Sequence, residues 1–246
     1  MGNDKVRITA DLADLVKSIT LPPAAQKLFL ALVYLQDQTD HRWTRQSWED
    51  RVKVRFFCGL GDLRALGCAP KARNTRFFRT AVAALEQRPD LFGKIELCTA
   101  SGHLRWSFSA EVWQAMSEME PYGLMRIGDI ARITGGPDLV LLTQIVVQRR
   151  KHMPDFVLTG RDLGLDSPDA DDPDLFDLRA MRRRLEPALR RWAGYIGSPV
   201  HLGYEQRGHM PGYVRARIRF KGQPNHWKAA AIQRFPLNTK VFEIIP

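Results

Sequence analysis

Cysteine is scarce in this chain: Cys58, Cys68 and Cys98 are its three thiols. An odd number at such wide spacing suggests neither a disulfide framework nor a CxxC metal knuckle. Cys58 and Cys98 lie in strand-like apolar runs, where a thiol packs as a small hydrophobe. Long apolar runs are missing too. The longest, Leu139 to Val147, is interrupted by Thr143 and Gln144 and stops at Arg149-Arg150, well short of the roughly 20 residues that span a bilayer. Asp4, Asp11 and Asp14 break up the N-terminal segment, so it carries no signal-peptide core, and a cytoplasmic location without membrane attachment is expected. Motifs of chemistry are equally absent. There is no HExxH, GxxxxGK[ST] or GxSxG, Gly59-Leu60-Gly61 lacks the third glycine of a dinucleotide fingerprint, and the six histidines are scattered. No cofactor, no metal and no enzymatic activity are therefore expected.

Acidic residues are the minority charge. Lys plus Arg number 37 against 27 Asp plus Glu, a formal net charge of +10. Such an excess favours a polyanionic partner, provided that the cations cluster on particular elements.

The hydrophobic pattern runs through the same order twice. Leu21-Pro22-Pro23 suits a helix start, because proline lacks the N–H that would be unpaired there. Leu28, Ala31, Leu32 and Leu35 then recur at helical spacing. Residues 37–51 read as a polar loop. Alternation from Val52 to Cys58 predicts a strand, and Leu60 to Leu66 a short helix ended by Gly67. A turn at Cys68-Ala69-Pro70 leads to a second helix, expected from about Lys71 to Glu86 and closed by Arg88-Pro89-Asp90. Phe92 to Cys98 and Leu104 to Phe108 read as a hairpin, followed by a helix from Ala110 to Ser117. Pro121 marks the expected domain boundary.

In the second pass, Gly135-Gly136-Pro137 precedes an apolar helix through Leu141, Leu142, Ile145 and Val146. Phe156-Val157-Leu158 is a short strand. Thr159 and Asp162 have the spacing of a capping box, and the helix that they start ends at Gly164. An acidic stretch, 166–174, leads into a long basic helix, expected from about Leu175 to Ala193 and broken or kinked at Pro187. Asp166, Asp169, Asp171, Asp172, Asp174 and Asp177 would repel phosphates, or would cap that helix. Residues 200–204 and 213–220 make a second hairpin. In its last strand Val214, Ala216, Ile218 and Phe220 alternate with Arg215, Arg217 and Arg219. This is either a cationic sheet face or a row paired with nearby acids.

Helix, strand, short helix, turn, longer helix and two-stranded wing is the order of a winged helix-turn-helix. The expected fold is α+β, two tandem winged helix-turn-helix domains. Residues 1–120 form the N-terminal domain, 121–221 the C-terminal domain and 222–246 a tail. In such a motif the second helix enters the major groove, so it needs an apolar side for its core and a cationic side for DNA. Phe78, Ala81, Val82 and Leu85 supply the apolar side of the first; Lys71, Arg73, Asn74, Arg76, Arg79 and Thr80 are its candidate contacts. Arginine can chelate guanine O6 and N7, and asparagine can chelate adenine N6 and N7. In the second such helix, Leu178, Met181, Leu185, Ala188, Leu189 and Trp192 are apolar, and Arg179, Arg182, Arg183 and Arg190 are the candidates. Arg105 and Arg207, with His103 and His209, are candidate wing contacts to phosphate or minor groove.

Three segments resemble a known family. Phe156 to Leu165 is similar to its strand followed by a short helix ending in leucine-glycine. Arg182-Arg183-Arg184-Leu185-Glu186-Pro187-Ala188-Leu189 resembles its basic run before leucine-x-proline-alanine-leucine. Val200 to Glu205 resembles the strand that follows. The family is the iteron-binding plasmid replication initiators. Arg190, Arg191 and Trp192 depart from its usual acidic-isoleucine-asparagine step, and 222–246 has no counterpart. The resemblance implies binding to double-stranded DNA at origin repeats, opening of the duplex and recruitment of host replication proteins. It also implies dimerisation through the first domain and repression of the protein's own promoter. Two alternatives stand beside it: a transcriptional repressor with no replication role, and a winged-helix protein-interaction module.

Overall fold

The computed structural model describes residues 4–17, 19–39, 48–71, 74–117, 122–149, 151, 154–165, 177–197, 199–206, 214–220 and 240–244. The chain divides into two compact units, one of residues 1–15 and 21–135, the other of residues 16–20 and 136–246.

The first unit opens with β1 (Lys5–Thr9) and α1 (Ala10–Lys17), whose last two residues belong to the second unit. Then come α2 (Pro23–Thr39), α3 (Trp48–Arg51), β2 (Phe56–Gly59), α4 (Leu60–Ala65), α5 (Arg76–Glu86), β3 (Phe92–Cys98), β4 (His103–Phe108), α6 (Ala110–Ser117) and β5 (Tyr122–Arg126). The sheet order is β2-β4-β3. Its inner side and the helices share one aromatic core. Phe29 of α2 meets Phe92 and Phe108 edge-on, with ring centroids 6.1 and 6.2 Å apart, and Trp113 of α6 packs on Phe108 at 5.8 Å. Each such ring removed from water contributes about 1.5–3 kcal/mol.

The second unit holds α7 (Asp138–Gln148), β6 (Asp155–Leu158), a 3-10 turn over Arg161–Leu163, α8 (Leu178–Ile196), β7 (Val200–Gln206), β8 (Val214–Phe220) and β9 (Lys240–Ile244). Every residue of α7 is buried, the polar Asp138, Thr143, Gln144 and Gln148 included. The sheet order is β6-β8-β7-β9. The first three strands repeat the first sheet: the strand before the short helix pairs with the second hairpin strand, and the first hairpin strand lies beyond it. The two units are winged helix-turn-helix domains in tandem.

Several elements differ from the sequence reading. The helix expected to give way at residue 37 continues to Thr39, and Trp48–Arg51 forms a helical turn within the expected polar loop. The strand expected from Val52 begins only at Phe56, because the N–H groups of Lys53 and Val54 bond back to Asp50 and Arg51 and close that turn. Helix α5 begins at Arg76, not Lys71. Asn74 Oδ1 accepts the Arg76 N–H at 3.1 Å, and a short polar side chain of this kind competes with the helix for backbone donors. Pro187 does not divide α8, which runs unbroken for 19 residues.

The units divide between Gly135 and Gly136, beyond the proline at 121 where a boundary was expected, because β5 pairs antiparallel with β1 and stays in the first unit. Part of the expected tail is likewise integrated: β9 pairs with β7. The acidic stretch 166–174 lies outside the described residues.

Candidate nucleic-acid interface

Helix α5 is amphipathic by composition. Phe78, Ala81, Val82 and Leu85 are buried, while Arg76, Arg79, Thr80 and Ala83 are exposed at successive spacings of three, one and three. The exposed stripe is cationic in its N-terminal half, and no acid appears before Glu86. Among the described residues, the guanidinium groups of Arg76 and Arg79 have no hydrogen bond or ion pair. Lys71 and Asn74 are exposed but precede the helix, and the Asn74 side chain accepts the Arg76 N–H. Arg73 lies outside the described residues.

The short helix that braces each candidate recognition helix is fixed by local chemistry. In the first unit Gly67, with φ +90°, ends the turn after α4; a left-handed residue of this kind is cheap only for glycine. In the second, Asp162 Oδ2 accepts the Thr159 N–H at 2.7 Å and the Thr159 hydroxyl at 3.0 Å, while the Asp162 N–H reaches back to Thr159 Oγ1 at 3.4 Å. This is the reciprocal pairing expected from the sequence, and Gly164 ends the element at φ +67°.

Helix α8 starts at Asp177, whose carboxylate accepts the N–H groups of Arg179 and Ala180 at 3.3 and 3.1 Å. Asp177 thus caps the helix, where its charge complements the helix dipole. Met181, Leu185, Ala188, Leu189, Trp192 and Ala193 are buried. The arginines separate into two sets. Arg184 is exposed, with Nη1 donating to the Leu163 carbonyl at 3.4 Å. Arg191 Nη2 and Trp192 Nε1 donate to the same oxygen, Oδ1 of the fully buried Asp138, at 2.8 and 2.9 Å. This anchors the helix against the start of α7. Arg179, Arg182, Arg183 and Arg190 are exposed as well. Arg179, Arg183 and Arg190 have no side-chain partner among the described residues. Arg182 does: its Nε donates to Glu186 at 2.8 Å.

The wings are unlike one another. Arg105 is exposed, but it stands on strand β4 rather than in the hairpin turn, level with Phe57 on one side and Glu96 on the other. Glu96 is held below the usual carboxylate range, first by its hydrogen bond from Lys94 and then by the nearby positive charges of Arg55 and Arg105. In the second sheet, Arg217 bonds to Glu205 and to Asp155 (2.8 Å), and Arg219 bonds to Asp155 at 3.2 Å. Those two arginines form an internal charge network, the second of the two readings given above, and are no candidates for DNA. Arg207 and His209 lie outside the described residues.

Two anchors escape the sequence. The pairing of Asp138 with Arg191 and Trp192 has no local signal, because the partners come from different helices. The Arg182–Glu186 spacing of four is a recognisable helix pair, but nothing in the chain indicates that Tyr204 joins it, its hydroxyl donating to Glu186 Oε1 at 3.3 Å.

No protein-family model matches the sequence, and no curated protein does either. Among solved structures, this fold is similar to that of the Pi initiator protein in complex with iteron DNA. The TM-score is 0.56 at 13% sequence identity, covering 92% of this chain and 100% of that one. At that identity the likeness establishes the fold. No described helix is long and apolar enough to cross a membrane.

Proposed function

We propose that this protein binds double-stranded DNA sequence-specifically and initiates plasmid replication at origin repeats, the iterons, with repression of its own promoter as a second role. One observation carries the reading. Helix α8 buries its apolar side and carries six arginines at its surface: Arg184 and Arg191 are hydrogen-bonded to the Leu163 carbonyl and to Asp138, and Arg182 to Glu186, while Arg179, Arg183 and Arg190 have no side-chain partner among the described residues. A recognition helix needs that division of labour. The shared fold adds to it, since the Pi initiator carries the same architecture and was solved on iteron DNA.

In this reading α8 and α5 enter major grooves, with Arg76, Arg79 and Thr80 as the contacts of the first helix. Lys71, Arg73 and Asn74 lie just before α5, and Arg105 and Arg207 are assigned to backbone contacts, which position without reading sequence. Host replication proteins and a second copy of the chain are the proposed protein partners, the setting is the cytoplasm, and no catalytic step is assigned.

The test is a gel-shift titration of the full chain at two salt concentrations, against a duplex from the origin of the replicon that encodes it and a scrambled duplex. Tighter binding to the origin, falling steeply with salt as condensed cations are released, is the expected result. No salt-dependent duplex binding would favour the protein-interaction module instead. Binding without replication of a reporter plasmid that carries the origin would favour the repressor.

A further inference from the structure

Arg182 differs from its neighbours on α8. Its Nε donates to Glu186 Oε1 at 2.8 Å, one turn further along the same helix. The same oxygen accepts the Tyr204 hydroxyl at 3.3 Å. Tyr204 lies on β7 and is 3% exposed, and the Glu186 side chain is 20% exposed against 46% for Arg182. The chain of contacts therefore runs from a buried strand residue, through a largely covered carboxylate, to an arginine at the surface. An ordinary exposed pair on a helix contributes little, since two long side chains must be ordered to make it. Here the carboxylate is held by the sheet, so only the arginine is left to order. Charge perturbations agree with the contacts. The tyrosine is pushed upward by burial first and by Glu186 second, and Glu186 raises the arginine.

We propose that Glu186 and Tyr204 are positioning residues for sequence specificity: together they orient the guanidinium of Arg182 to read a guanine. The proposal rests on α8 being a recognition helix, as argued above. Glu186 engages the Nε edge of a planar fork, and the Nη1–Nη2 end projects away from that edge by the geometry of the group itself. That end is the one that chelates guanine O6 and N7 in the major groove. A fork set in advance loses less side-chain freedom on binding, and a base edge, unlike a phosphate, tolerates little misorientation. Arg179, Arg183 and Arg190, exposed and without such a brace, supply the sequence-neutral attraction to phosphate. These four of the helix's six arginines thus divide into one that specifies and three that attract.

The experiment uses the full chain and a library of random-sequence duplexes. Wild type, Arg182→Ala, Glu186→Gln, Tyr204→Phe and Arg183→Ala are each taken through repeated selection. The affinity ratio between the wild-type selected site and a scrambled duplex is then measured for each. Both positioning substitutions are near-isosteric, and thermal unfolding checks that each variant is folded. Glu186→Gln and Tyr204→Phe are expected to relax one guanine position, the same one lost in Arg182→Ala, and to lower the ratio roughly tenfold. Binding to scrambled duplex and its salt slope stay near wild type. In the Arg182→Ala background Glu186→Gln should change nothing further, because its effect passes through the arginine.

The proposal is overturned if the two positioning variants select the wild-type site unchanged. It also fails if they weaken all duplexes alike, or if Glu186→Gln lowers the ratio again without Arg182. If the wild-type chain selects no site and binds duplex without salt dependence, the reading of α8 falls and takes this one with it. In the other failures wild-type binding survives, so the two are told apart.

Discussion

Arg191 and Asp138 join two helices of the second unit: Arg191 Nη2 donates to Asp138 Oδ1 at 2.8 Å, although the arginine is 38% exposed and the aspartate fully buried. The asymmetry predicts unequal costs for removing either side. Arg191→Ala strips the cation from a buried carboxylate and is expected to cost about 3–5 kcal/mol. Asp138→Ala takes an acceptor from the buried Trp192 indole, but lets Arg191 return to water, and is expected to cost about 1–3 kcal/mol. Urea unfolding of the two variants gives the order directly; equal costs would mean that the pair does not hold the helix.

Exposed and anchored arginines on α8 should separate in binding. Arg183→Ala is expected to weaken specific and scrambled duplexes alike and to reduce the salt slope by about 1. Arg184→Ala, whose guanidinium is turned to the Leu163 carbonyl, should leave that slope unchanged. On α5, Arg76→Ala is expected to lower affinity for the selected site by about 1–3 kcal/mol. Fluorescence anisotropy over a salt series measures all three.

Gly164 ends the 3-10 turn of the second motif at φ +67°, and a Cβ there would lie 2.7 Å from Thr20 Cγ2 and 2.9 Å from its hydroxyl. Gly164→Ala therefore meets backbone strain and a clash with a short branched side chain at once. A loss on the order of 1–3 kcal/mol is expected, readable as a lowered unfolding midpoint. An unchanged midpoint would show that the turn relaxes freely. Gly61→Ala, where no atom lies within 4 Å and φ is not positive, serves as the tolerant control.

Burial pushes the Cys58 and Cys68 thiols up to about 12; the negative charge of Asp62 adds to the first and the neighbouring thiol to the second. Both should resist a thiol reagent in the native state, while the half-buried Cys98 reacts first. Because the folded values are raised, the stabilisation is complete below the ordinary thiol value of 9.0. It is lost as pH rises from there toward 12 and the unfolded chain ionises first. Denaturation at pH 8 and pH 10.5 measures the difference, which Cys58→Ala and Cys68→Ala should each reduce.

Much of this was legible in the chain. The Phe78, Ala81, Val82, Leu85 stripe, the period-2 run ending at Phe220, the Thr159–Asp162 cap and the glycines at 67 and 164 are local signals. Each is fixed by side-chain periodicity or by the backbone freedom of a single residue, and each lies in the structure where its spacing puts it. The order of these elements, met twice, was enough to indicate two winged helices. The start of α5 differs from the sequence reading because a basic stretch without acids looks helical, while the Asn74 side chain takes the Arg76 N–H and the helix begins only there.

Tertiary structure decided which cations are available. Arg182, Arg184 and Arg191 are alike in sequence and all lie at the surface, yet one pairs with Glu186, one with the Leu163 carbonyl and one with a buried carboxylate. Arg217 and Arg219 alternate as a cationic face should, but Asp155 and Glu205 on the flanking strands take them up. Sequence periodicity sets which side of an element a residue occupies, because the helix and strand repeats are intrinsic to the backbone. Whether a charge on that side meets solvent or an opposite charge depends on elements distant in the chain, and only their packing brings those together.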